Sequence, residues 1–126
     1  ECRRLGGCPT GEARLTKGYQ LPARHVIHTV GPVYQDGRQG EPELLRSCYL
    51  ASLKLAESAG LRSLAFPAIS CGVYGYPLDE AADIALVTSA ESLERLPSIE
   101  RVLFVLFGRD AFEEYERVYR MRSGID

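Results

Sequence analysis

Apolar positions change period along this chain, and the changes mark out its elements. Ala13 and Leu15 alternate with polar neighbours, and the alternation extends toward Lys17 and Tyr19, which predicts a half-buried strand. His25 to Val30 is a second strand, β-branched and ended by Gly31-Pro32. From Glu41 the period becomes helical. Leu44, Leu45, Cys48, Leu55 and Ala56 form one stripe, widened by Tyr49 and Leu53, with Pro42 in the first turn and Gly60 as the stop. Ser63 to Ile69 reads as a short buried strand in which Pro67 already ends the ladder. A helix follows Pro77 and runs to about Leu96, Glu100 to Phe107 is the last strand, and Asp110 is placed to cap a final amphipathic helix. Residues 1–5 have the look of a helix tail, stopped by Gly6-Gly7, and Leu21-Pro22-Ala23 turns the chain. The later strand–helix alternation predicts an α/β fold with parallel strands.

Composition narrows the class without naming a function. The 126 residues suit one domain, and 45% hydrophobic with 25% charged residues is an ordinary globular balance. A net charge of -2 provides no basic surface for bulk nucleic-acid binding. The strongest apolar run, Val102 to Phe107, has strand length and falls far short of the roughly 20 residues that span a bilayer, so no membrane partner is expected. The four cysteines show no CxxC pair, which favours free thiols and a cytoplasmic setting. The chain opens Glu1-Cys2-Arg3-Arg4 with no initiator Met, so a single domain incomplete at its N-terminus is expected.

The segment AISCGVYGYP, Ala68 to Pro77, is the strongest candidate for chemistry. A glycine loop between strand and helix can turn successive backbone N–H groups toward an anion, here from Ser70 to Tyr74, with Gly72 and Gly75 allowing close approach. The alternative is a tight strand-to-helix turn with no ligand. A phosphatase-type cysteine loop does not fit Cys71, because position 77 is proline and no cation lies from Ser70 to Ala82. Neither GxxxxGK[ST] nor GxGxxG is present, which disfavours an NTPase and a dinucleotide fold. His25 and His28 stand three apart on a strand and point to opposite faces, so they read as buried, hydrogen-bonded structural residues, and no metal site is expected. Asp79 and Glu80 suit a helix dipole. Phe107, at a strand's carboxyl end, is either core or a platform for a base.

Four blocks then converge on one family: Cys8-Pro9-Thr10-Gly11-Glu12-Ala13; Leu21-Pro22-Ala23 with His28-Thr29-Val30-Gly31-Pro32; Ala68 to Pro77; and the strand to Phe107 followed by Tyr115-Glu116-Arg117. Their order and spacing resemble the MacroD-type macro domains, which bind ADP-ribose. The resemblance implies a three-layer α/β/α fold with a mixed, largely parallel central sheet, its N-terminal part absent here. It implies that Ser70, Cys71, Gly72, Val73, Tyr74 and Gly75 form the second ligand loop, whose amides hold the pyrophosphate. Tyr74 would wall the distal ribose, and Phe107 would pack against the adenine. Family members often have threonine where this chain has Cys71.

The implied ligand is ADP-ribose, free or attached to protein, with no cofactor and a monomer when complete. Two readings of activity follow: binding of ADP-ribose with, in the intact protein, hydrolysis of ADP-ribose esters, including mono-ADP-ribosylated acidic side chains and O-acetyl-ADP-ribose, or alternatively binding without turnover. The catalytic residues are expected in the family's first ligand loop, an asparagine-containing strand end with a glycine run, which nothing in this chain matches.

Overall fold

A computed structural model describes residues 8–17, 25–72 and 74–123. The elements run β1 (Ala13–Lys17), β2 (His25–Thr29), α1 (Glu41–Ser58), β3 (Ser63–Phe66), α2 (Leu78–Arg95), β4 (Arg101–Phe104) and α3 (Arg109–Ser123). This is the α/β order that the periodicity predicts. The helix tail at 1–5, the turn at Leu21-Pro22-Ala23, Tyr19 and Val73 lie outside the described residues.

The sheet is mixed. β1 pairs antiparallel with β2, Ala13 opposite Thr29, and β3 pairs parallel with β4, Phe66 opposite Phe104. Among the described residues these are two separate two-stranded ladders, not one continuous sheet. Between them lies a cleft of about 820 Å³, walled by Ile27 and Thr29 of β2 and by Leu64 and Phe66 of β3, with Ser52 of α1 at its base.

The expected helical stripe of α1 is centred on its fully buried members Leu45, Tyr49 and Leu53. Tyr49 meets Phe66 edge-on with ring centroids 4.9 Å apart, and Phe104 continues the cluster to Tyr115 of α3 at 5.8 Å. Such aromatic pairs add about 1 kcal/mol each beyond the area they bury. α2 packs against both α1 and α3. Its buried face consists of Ala81, Ala82, Ala85, Thr88, Ser89 and Ser92, residues small enough for helix backbones to approach closely. The opposite face of the β3–β4 ladder is open, with Leu103 and Val105 exposed.

Three boundaries differ from the sequence reading. β3 stops at Phe66 instead of Ile69, because Pro67 has no N–H to continue the ladder. β4 therefore loses its partner, and the chain runs free through Phe107 after one last bond from the Val105 N–H to the Phe66 carbonyl, 2.8 Å. α3 begins at Arg109, which puts Asp110 inside the first turn instead of at the cap.

Candidate functional site

Two loops meet where β2 and β3 end. Ser70 is the one described non-glycine residue with positive φ, 67°, and it holds that conformation because its Oγ donates to the Pro32 carbonyl at 2.7 Å. The Tyr34 N–H donates to the Tyr74 carbonyl at 2.9 Å, a second link across the same junction. Gly31 makes the approach possible: a Cβ there would stand 2.3 Å from Ser70 Oγ.

The loop from Ala68 to Pro77 is held by its own backbone. The Cys71 N–H donates to the Ala68 carbonyl at 3.2 Å, Gly75 to Gly72 at 2.9 Å, and Tyr76 to Ser70 at 3.0 Å. Of the successive N–H groups from Ser70 to Tyr74 expected to turn toward an anion, that of Cys71 is engaged inside the turn. No backbone carbonyl among the described residues takes the N–H of Gly72 or of Tyr74. Gly72 and Gly75 have φ of 87° and 73°, the left-handed region that side chains disfavour. An added Cβ at either would meet no protein atom within 4 Å, so these glycines serve the backbone conformation and crowd nothing in the protein itself.

The residues singled out by sequence divide between two cavities. Cys71, Gly72 and Phe107 line one of about 460 Å³, together with Leu78 and the start of α3 from Gly108 to Ala111. Ser70 and Tyr74 line the larger cleft between the ladders. Gly75 closes the loop between them without lining either, and Val73 lies outside the described residues. Phe107 is 88% exposed, so of its two readings the core is excluded and an open aromatic face remains. The Cys71 thiol is half-buried and burial pushes it up, away from the thiolate, in keeping with its rejection as a nucleophile. Burial likewise raises the hydroxyls of Tyr49 and Tyr115, which lie against one another, with Tyr115 also against the Cys71 thiol.

His25 and His28 both border the large cleft, which opens along the edge of β2 and so receives side chains from either face. The Nδ1 of His25 is buried without a hydrogen-bond partner among the described residues, contrary to the expectation of a fully bonded histidine. Among the described residues no group of three His, Cys, Asp or Glu is arranged to hold a metal, and no helix is long and apolar enough to cross a membrane.

Sequence reading missed two features. Glu41 opens α1, and its buried carboxylate accepts N–H bonds from Gln35, Asp36 and Gly37 on Oε2 at 2.9 to 3.1 Å, and from Gln39 on Oε1 at 2.6 Å. Burial alone would raise its pKa, but these backbone bonds outweigh burial and bring it down to about 2. The run QDGRQGE, glycines closing on an acid at a helix start, was the available signal. The second is Arg109, a cation beside the glycine loop but far from it in sequence.

Comparison with known proteins follows from this geometry. A family model described as Macro domain matches residues 1–85. A macro domain-containing protein of Mesorhizobium japonicum is 54% identical over 125 residues, 98% of this chain and 71% of that protein. The ADP-ribose glycohydrolase MACROD2 of Xenopus laevis is 48% identical over 119 residues, 93% of this chain and 28% of that one. Among solved structures, the Oceanobacillus iheyensis macrodomain with ADP superposes with a TM-score of 0.90 at 39% identity, covering 98% of this chain and 65% of that chain. The Trypanosoma brucei macrodomain in complex with ADP-ribose gives 0.86 at 47% identity, covering 94% of this chain and 49% of that chain.

Proposed function

The chain belongs to the macro domain family, and we propose that it binds ADP-ribose, free or attached to protein. One observation carries the reading. A loop whose Gly72 and Tyr74 N–H groups meet no backbone carbonyl among the described residues separates a cavity flanked by an exposed aromatic ring from a cleft flanked by a tyrosine. A base against Phe107, a pyrophosphate over Gly72 to Gly75 and a distal ribose at Tyr74 would follow that line in the order in which ADP-ribose presents them. The ADP-ribose named in the Trypanosoma brucei complex supports the choice of ligand. Calorimetric titration of the chain with ADP-ribose is expected to show saturable heat that ribose alone does not produce. Absence of heat with ADP-ribose would refute the proposal.

The second reading is hydrolysis: release of ADP-ribose from modified acidic side chains, and of acetate from O-acetyl-ADP-ribose, by a monomer acting in the cytoplasm. Hydrolysis is supported by the similarity to a glycohydrolase, and the cytoplasmic setting by thiols at Cys48 and Cys71 that form no disulfide among the described residues. A water attacking the ribose ester needs positioned groups as well as ligand affinity. Incubation with a protein ADP-ribosylated on glutamate separates the readings. Free ADP-ribose accumulating with time supports the enzyme, and tight binding without release makes the chain a binding module.

A further inference from the structure

We propose that Arg109 is the charge partner of the ligand's diphosphate and that Glu113 restrains it when the site is empty. The inference rests on the ADP-ribose reading above and adds to it a residue outside the glycine loop.

A diphosphate brings negative charge to a place poor in positive charge. Backbone N–H groups supply dipoles, but no lysine or arginine occurs from Ser70 to Ala82, while Asp79 and Glu80 do. Asp110 adds a further carboxylate to the rim of the 460 Å³ cavity. Among the described residues lining that cavity, Arg109 is the one cation, and it shares the wall with Cys71, Gly72 and Phe107. Its position follows from the early end of β4. The chain leaves the ladder after Phe104, so Phe107 and Gly108 reach the cavity and α3 starts there with Arg109 in its first turn.

The guanidinium is not committed elsewhere. Its side chain is 86% exposed, and its Nε lies 3.8 Å from Oε1 of Glu113, one turn along the helix and itself 66% exposed. An exposed pair at that distance is weak and is readily exchanged for a doubly charged anion that can accept two N–H bonds. Arg109 thus has two partners for one side chain, a carboxylate on its own helix and a diphosphate across the cavity.

The test is a double-mutant cycle on the full chain, read by calorimetry with ADP-ribose at low and high salt. Arg109→Gln is expected to weaken binding by about fivefold and to flatten its salt dependence, with Arg109→Lys restoring part of both. Glu113→Gln is expected to tighten binding by about twofold in the unaltered chain and to have no effect when Arg109 is already Gln. Unchanged affinity and salt dependence in Arg109→Gln, beside clear binding by the unaltered chain, would overturn the inference and leave the ADP-ribose reading intact. An unaltered chain that binds no ADP-ribose would bring down both.

Discussion

The loop after β2 and the loop after β3 both gather backbone N–H groups around a place for negative charge, and they differ in who supplies it. The N–H groups of Gln35, Asp36, Gly37 and Gln39 close on the buried carboxylate of Glu41, so the chain provides its own anion. From Ala68 to Tyr76 backbone carbonyls take the N–H groups of Cys71, Gly75 and Tyr76, and among the described residues none takes those of Ser70, Gly72 and Tyr74. The first arrangement is finished on folding. The second is shaped without being satisfied, which is how a binding loop differs from a structural one. Glycines with positive φ occur in both, at Gly37 and Gly40 as at Gly72 and Gly75, so glycine content alone does not tell the two apart.

The largest effect is expected from emptying the first loop. Glu41→Ala leaves four partly buried N–H groups without their acceptor, and the thermal midpoint should fall by roughly 5 °C with ligand affinity retained on the folded fraction. The native side chain also makes stability depend on pH. The folded protein holds the Glu41 proton more weakly than the unfolded chain, whose pKa is near 4.5, so this stabilisation is complete above that value and is lost as pH falls toward about 2. Denaturant midpoints measured across that range should drop in the native chain and less so in Glu41→Gln. A flat profile would mean that the carboxylate is not what organises residues 35–39.

The next effect is the reverse in kind. Gly72→Val puts a branched side chain where φ is 87° and directs it into the open space above the loop. ADP-ribose affinity should fall by more than about thirtyfold, while stability falls by only ~1–2 kcal/mol, the ordinary cost of that backbone conformation. Unaltered affinity would show that Gly72 does not face the ligand. Phe107→Ala should be the smallest of the three, about tenfold in affinity from lost stacking, with no shift in thermal midpoint because the ring is 88% exposed. A clear stability loss there would return Phe107 to the core.

This contrast also divides what was legible in the sequence. Element type was legible wherever burial is periodic: of the stripe expected on α1, Leu45, Cys48, Tyr49, Leu53 and Ala56 are buried, while Leu44 and Leu55 are only half-buried. The boundaries at Phe66, Phe104 and Arg109 were not, since a strand's end depends on when its partner stops, and that is a pairwise fact. At the site, the glycine loop and Phe107 stood out by type and spacing. Glu41 did not, because an acid at a helix start looks the same whether it answers the helix dipole or a neighbouring loop. Arg109 was hidden for a different reason, being brought to Gly72 only by the return of the chain through α2 and β4.

Gly31 stands at the start of the loop after β2 and sets the distance between the two loops. With 2.3 Å from its absent Cβ to Ser70 Oγ and 2.7 Å to Ile69 Cγ2, the junction has no clearance for a methyl group. Residue 31 therefore acts as the spacer in a jig: the thinnest residue lets Ser70 reach Pro32, and that contact holds the loop in its curve before any ligand arrives. Alanine would be a shim of about 1 Å, tipping the loop away from β2 and spoiling the alignment of groups it never touches.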